Sequence, residues 1–412
     1  MTKKLFTQMR NEWRSNVWLA IELLIISLLL WFVFMSLCTK LDVYLRPLGF
    51  DANHCYKLSM GMVNSKSTEA KDYQSKREVN DDVEELVERL RHYEGIEAVS
   101  LSYCSHPYNS SNNWNPFKID TMTVNSVHRQ ITPDFIKVFR YEGANGETPE
   151  QLAEKVNTGG LFVSENFLDI YGKDIKEYVD KEMTSTFDST WRPKIAGVFK
   201  TVRYSDFDGG HSSRSFLRKP EWRFGNDAEL CIRVKPEADN GFMERFVKDK
   251  EKRFRVGGLY ITDIKSFKDI RTAFHQSDYN SLRNTVTIAV FLLRNIFLGL
   301  FGTFWFRTQQ RRTEIALHKA LGATNGDVFL RLVSEGLCVL LAIVPFTLAI
   351  TFALYHYDLL LSDSSAYVDT GKMVAVSGII SFLVIALVII VGIYFPARKA
   401  MDVNPAEALR DE

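Results

Sequence analysis

The sequence predicts a multi-pass α-helical membrane protein: four transmembrane helices, with a large α+β extracytoplasmic domain of two lobes between helices 1 and 2. Three observations carry that expectation. Four apolar runs each approach the roughly 20 residues that cross a bilayer core. Lys and Arg gather in the segments that would share one side of the membrane. A long polar stretch, residues 40–283, separates the first run from the other three.

Bulk composition conceals this pattern. The chain has 412 residues and a formal net charge of +1, and its mean hydropathy is −0.11. The average looks soluble because the apolar residues are concentrated in a few places. Near-neutral charge gives no basis for a nucleic-acid partner or an acidic ligand. The first run, residues 17–39, holds one charge, Glu22, near its start. The second, 284–306, contains Arg294. The third, 332–355, and the fourth, 373–395, carry no charge at their centres. The first run is too long for a signal-peptide core of about 7–15 residues and lacks a small-x-small cleavage site, so it reads as an uncleaved anchor.

Orientation follows from the short flanking segments. The N-terminal segment 1–16 carries Lys3, Lys4, Arg10 and Arg14. The loop 307–331 carries Arg307, Arg311, Arg312, Lys319 and Arg331, and the tail 396–412 carries Arg398, Lys399 and Arg410. The loop 356–372 has Asp358, Asp363 and Asp369 but no Lys or Arg before its last residue. The positive-inside rule therefore places both termini and 307–331 in the cytoplasm, and 40–283 outside, for a protein of the inner (cytoplasmic) membrane.

The external segment mixes strands and helices. Tyr56–Val63 alternates like a strand. Asn80–Tyr93 is amphipathic, with Val83, Leu86, Val87 and Leu90 on one face. Gly95 ends that helix, and Ile96–Tyr103 reads as the next strand. Residues 105–115 read as a turn or mobile loop. Further strands are expected at 121–128, 193–200, 228–235 and 256–264, and short helices at 132–139, 164–171 and 239–252. Of five cysteines, Cys55, Cys104 and Cys231 are external; one disulfide could form among them, with its pairing open, and structural thiols are the simpler reading.

No motif supplies a catalytic site. A P-loop of the form G-x-x-x-x-G-K-[ST] is absent, no G-x-S-x-G occurs, and the histidines show no H-E-x-x-H or close cluster that would hold a metal. The informative stretch follows the second run. As a helix, Arg307–Ala323 places Ala316, Leu317, Ala320 and Leu321 on one side and Arg311, Arg312, Glu314, His318 and Lys319 on the other. Such a helix would lie along the membrane surface. Ile315 falls in the polar face, where an exposed apolar side chain would suit a partner's pocket. Anchoring to anionic lipid is the simpler alternative.

The segment Arg311-x-x-Glu314-Ile315-x-Leu317-x-Lys319-Ala320-Leu321-Gly322-Ala323 resembles a signature of the FtsX/MacB-like family of ABC transporter permeases. His318 stands where that family more usually has a basic or long apolar residue. The C-terminal residues Pro396, Arg398, Lys399, Pro405, Glu407, Leu409 and Arg410 resemble the family's second motif. The likeness spans about 285–412, and it is weaker in 131–135, 162–166 and 195–198, which resemble parts of a MacB-like periplasmic core domain. The resemblance implies a dimer, with a second copy or a paralogue, and a separate cytoplasmic ATPase holding ATP and Mg. No cofactor is implied on this chain. It makes Arg311, Arg312, Glu314, Ile315, Leu317, His318, Lys319 and Gly322 the ATPase-coupling helix. It further implies mechanotransmission, in which ATP-driven closure on the cytoplasmic side moves the external domain. Export or extraction of peptides, antibiotics, toxins or lipoproteins is the leading expectation, with a membrane-fusion protein and an outer-membrane channel as further partners. Signalling to an envelope enzyme, or sensing of a ligand, are the alternatives. Arg294 is expected to pair partly with Glu22 or to face a dimer seam, because a charge at mid-span costs at least about 2.5–3.5 kcal/mol.

Overall fold

The computed structural model describes residues 13–64, 66–67, 71–208, 213–310, 312–357, 359 and 370–401, with backbone only at 13–16, 312, 355, 370, 400 and 401. Arg311, Pro405, Glu407, Leu409, Arg410 and the Arg312 side chain lie outside the described residues. The chain forms two compact units. One is Val43–Asp278; the other combines Met1–Asp42 with Tyr279–Glu412.

The unit Val43–Asp278 is built on one mixed sheet. Its strands are β1 (Cys55–Met62), β2 (Ile96–Tyr103), β3 (Asn113–Ile119), β4 (Met122–Ile131), β5 (Leu161–Ser164), β6 (Thr184–Ser185), β7 (Ile195–Phe199), β8 (Ser215–Arg218), β9 (Glu229–Val234), β10 (Arg255–Val256) and β11 (Leu259–Ser266). Their order is β10-β11-β1-β9-β2-β4-β8-β5-β7, with β3 paired to β4 and β6. Only β4–β8 and β5–β7 run parallel. The remaining pairs are antiparallel, as an α+β arrangement requires.

Two groups of helices cover this sheet, so the two expected lobes share a continuous backbone ladder. Toward the β10 end lie α2 (Lys76–Arg91) and α5 (Phe242–Arg253). The predicted stripe of Val83, Leu86, Val87 and Leu90 is buried there with Phe242, Phe246 and Phe254. Helix α2 is capped by His92, and Gly95, at φ +89°, makes the turn into β2, where a Cβ would meet Ala238 Cβ at 2.7 Å. Helix α3 (Asp134–Phe139) packs on β2 and β9, with α4 (Pro149–Asn157) against it, and their Phe135, Phe139 and Leu152 join a second core with Cys55, Ala98 and Cys231 of the sheet.

Several local expectations change. Residues 164–171 do not form an α-helix. The apolar run Leu161–Ser164 is fully buried β5, bonded to β7 on one side and β8 on the other. A short apolar run has no distinguishing period, and only pairing on both edges decides it. The loop 105–115 is fastened rather than free. Ser105 and His106 donate their backbone N–H groups to Glu229 Oε2 at 2.9 and 3.2 Å, and the loop's last residues open β3. Helix α4 escaped the sequence reading although Thr148 and Gln151 form a reciprocal capping box. All five cysteines are free thiols. Cys55 and Cys231 are buried on neighbouring strands, and burial pushes the Cys55 pKa up to about 12.

The second unit is a helical bundle. Its members are α1 (Trp13–Leu45), α7 (Gln276–Gln310), the short α8 (Arg312–Ala320), α9 (Asn325–His356) and α10 (Thr370–Met401); α6 (Phe267–Phe274) precedes α7 in the other unit. Four of these helices are long and apolar enough to cross a membrane, over Val17–Leu45, Gln276–Gln310, Asn325–Leu354 and Gly371–Lys399. Small residues let them approach closely, as is common between membrane helices. A Cβ on Gly336 of α9 would meet Ile389 Cγ2 at 2.7 Å and Ile393 Cδ1 at 2.9 Å.

Candidate functional site

Helix α8 and the turn behind it form the candidate site. The turn ends α8 in a Schellman arrangement. Ala323 N–H donates to His318 O and Gly322 N–H to Lys319 O, both at 3.0 Å, while Gly322 takes φ +98°. Thr324 then starts α9. Its Oγ1 accepts from Asp327 N at 3.2 Å, and Asp327 Oδ2 accepts from Thr324 N at 2.9 Å. Two helices are thus joined by a short, internally satisfied corner.

The faces of α8 differ from the sequence expectation. Ile315 is buried, together with Phe304, Val328 and Leu332 of the bundle, and Ala316 is fully buried. Leu317 and Leu321 are 51% and 77% exposed. The expected apolar side is therefore divided, with Ala316 buried in the bundle and Leu317 and Leu321 pointing away from it, and Ile315, expected to be exposed, is the helix's anchor. The physical reason is that an apolar stripe does not record which of two hydrophobic surfaces it meets; the tight turn at Gly322 sets the rotation of α8 against α7 and α9.

The charged residues brace this helix. Arg331 Nη2 of α9 donates to Glu314 Oε1 at 2.8 Å, and His318 Nε2 lies 3.9 Å from the same oxygen. Glu314 is therefore committed within the chain, through an Arg331 contact that sequence spacing could not show. Thr313, Leu317, Ala320 and Leu321 are exposed beside it. In the last helix Pro396 is buried and Arg398 exposed, while Lys399 Nζ sits 4.3 Å from the Trp305 ring centroid. That cation–π contact joins the ends of α10 and α7.

Arg294 and Glu22 do not form an ion pair among the described residues. The Glu22 carboxylate instead lies over Gly299, where a Cβ would come within 2.3 Å of Oε1. Arg294 is exposed on α7, along with Val290, Phe291 and Leu298.

A second polar cluster belongs to the unit Val43–Asp278 and was missed from sequence because its members are far apart in the chain. Asp206 accepts from Arg271 Nε at 2.9 Å and lies 2.7 Å from His275 Nε2. His275 Nδ1 is 2.9 Å from Asp278 Oδ2. Burial pushes the Asp206 pKa up, but His275 and Arg271 outweigh it and hold the carboxyl at about 2. Burial pushes His275 down, yet the carboxylates of Asp206 and Asp278 prevail and raise it. Pairing of opposite charges accounts for both directions.

These features define a chain with four helices long and apolar enough to cross a membrane and an α+β domain between the first and the second. Residues 286–405 match the FtsX-like permease C-terminal family. The chain is similar to the macrolide export ATP-binding/permease protein MacB of Bdellovibrio bacteriovorus, 28% identical over 152 residues, covering 36% of this chain and 22% of that protein. The match thus spans about a fifth of the relative's length. The extracellular domain of the noncanonic ABC-type transporter YknZ from Gram-positive bacteria aligns with 50% of this chain and all of its own, at 9% identity and a TM-score of 0.30. A permease-protein domain from Porphyromonas gingivalis aligns over 52% of this chain and 90% of its own, at 14% identity and a TM-score of 0.32.

Proposed function

We propose that this chain is the membrane subunit of an ABC transporter that docks a separate cytoplasmic ATPase through α8 and converts its ATP cycle into motion of the domain Val43–Asp278. The observation that carries the reading is the pair Leu317 and Leu321, more than half exposed on a helix braced by Ile315, Ala316 and the Glu314–Arg331 contact. Exposed leucines on a fixed helix are suited to fill a partner's pocket. ATP and Mg belong to the partner. A second copy or a paralogue completes the assembly, with the exposed Arg294 face of α7 as the seam, since a lone charge among lipid-facing residues is costly. Export or extraction of an apolar or peptidic cargo suits a chain whose spans offer few polar groups for a hydrophilic path.

Affinity capture of the detergent-solubilised chain, followed by mass spectrometry, tests this. The wild type recovers a P-loop ATPase. Leu317→Asp/Leu321→Asp loses it while retaining the wild-type melting profile, because both side chains point away from the bundle. Full burial of a leucine is worth about 1.5–3 kcal/mol, so the pair accounts for at least a tenfold loss of recovery at 1.4 kcal/mol per decade. Equal recovery with both proteins removes α8 as the docking site. No ATPase with either, even after cross-linking, overturns the transporter reading.

A further inference from the structure

Residues 201–208 form a strap within the unit Val43–Asp278, between the chain that leaves α1 and the chain that enters α7. On the α1 side, Arg203 N–H donates to Leu48 O at 2.9 Å, and Arg203 Nη1 donates to Arg46 O at 2.8 Å. The backbones touch there, since a Cβ on Gly49 would come within 2.1 Å of Thr201 O. Phe207 meets the Tyr44 ring with centroids 5.5 Å apart. On the α7 side the strap rests on His275, through the Asp206 carboxylate and the edge-on Phe207 ring.

The His275 side chain has no exposed surface, and each of its ring nitrogens faces a carboxylate oxygen. Asp206 Oδ2 of the strap lies 2.7 Å from Nε2, and Asp278 Oδ2, in the first turn of α7, lies 2.9 Å from Nδ1. A neutral imidazole carries one N–H and one lone pair, whereas the imidazolium carries two N–H groups. Only the charged ring can donate to both carboxylates; the neutral ring turns a lone pair on one of them. The rings of Tyr108, Phe207 and Phe274 pack edge-on around the imidazole, with centroids 5.1–5.5 Å away. Asp206 and Asp278 are the charges at the ring, and Arg271 of α6 shares Asp206 with it. Arg203, Asp208 and Arg46 are the next charges out, and Tyr44, Tyr108 and Tyr204 are the neighbouring phenols.

We propose that His275 is a protonation-operated latch: the imidazolium holds the strap 201–208 shut, and loss of its second proton lets the strap open while the sheet stays folded. Opening takes Asp206 and Phe207 off the ring and exposes it to water, so the opened state titrates in the ordinary histidine range near 6.5. In the closed state burial pushes the His275 pKa down, but the two carboxylates outweigh burial and raise it. Closure is therefore strongest below about 6.5 and weakens as pH climbs through the folded-state value. The latch lies wholly inside Val43–Asp278 and needs no ATPase, so it stands or falls apart from the docking reading.

Hydrogen exchange of the full chain in detergent tests this, read by mass spectrometry at about pH 6 and pH 9 and corrected for intrinsic exchange. Protection of peptides covering 201–208 falls about tenfold between the two, the weight of one hydrogen bond to a charged group. Strands β1 and β9 keep their protection. His275→Gln retains a donor for Asp206 but does not titrate, and its strap exchanges alike at both pH values. Asp278→Asn supplies a donor for the lone pair of a neutral ring, and there the fall in strap protection largely disappears. Equal strap protection of the wild type at the two pH values overturns the latch. So does an undiminished fall in either variant, or a fall shared equally by β1 and β9.

Discussion

Asp206→Asn probes the buried charge cluster while preserving side-chain shape. Asp206 stands between Arg271 and His275, and its carboxyl is held at about 2 against an ordinary 3.8. At about 1.36 kcal/mol per pH unit, the charged form contributes roughly 2 kcal/mol to folding near neutrality. For a domain of about 150–250 residues, each kcal/mol moves the melting temperature by about 2–4 °C. The variant is therefore expected to melt about 4–8 °C lower in the transition of Val43–Asp278, followed by tryptophan fluorescence of the full chain in detergent. The pH dependence has a definite sign. A depressed carboxyl stabilises above its ordinary range, so the difference between wild type and variant shrinks as pH falls from about 4 toward 2. His275, whose pKa is raised, contributes fully below about 6.5, and its contribution fades as pH rises through its folded-state value. Arg271, Asp278 and Asp206 are the charged groups that face it. A variant that melts within about 1 °C of the wild type at pH 6, or whose deficit persists unchanged at low pH, refutes the assignment of a charged Asp206 clamp.

Two further substitutions act on the bundle. Gly336→Leu forces a side chain against Ile389, Ile393 and Phe304, and overpacking of this kind costs about 1–3 kcal/mol; a lower melting temperature of the bundle in detergent is expected. Gly322→Ala meets no neighbouring atom but must keep φ +98°, at a cost of about 1–2 kcal/mol. Hydrogen exchange of the last turn of α8 should rise in that variant, with the remaining helices unchanged.

Much of the local structure was legible from sequence because it is written in period and turn chemistry. The stripe Val83–Leu86–Val87–Leu90 named the buried face of α2, and Ile96–Tyr103 was recovered with its boundaries. The four spans were visible because length and apolarity suffice to mark them. Elements that depend on partners were not. β5 and β8 are short runs whose strand character comes from pairing with distant segments, and β3 lies partly in a Ser/Asn-rich stretch that only its hairpin with β4 orders. Helix α4 was legible in principle, through Thr148-Pro149-Glu150-Gln151, and was overlooked.

The candidate site divides in the same way. Sequence alone determined the four apolar spans, the resemblance to a permease family and a helix after the second span, read as Arg307–Ala323 where the structure has Arg312–Ala320, because hydrophobic length and charge bias are properties of contiguous residues. Tertiary structure decided that Ile315 is an anchor and Leu317 and Leu321 are presented outward, that Glu314 belongs to Arg331, and that Glu22 rests on Gly299 instead of on Arg294. It also brought Asp206, Arg271, His275 and Asp278 together. Each of these depends on the rotation and spacing of helices or on contacts across long stretches of chain, which the packing of side chains fixes and a linear pattern does not contain.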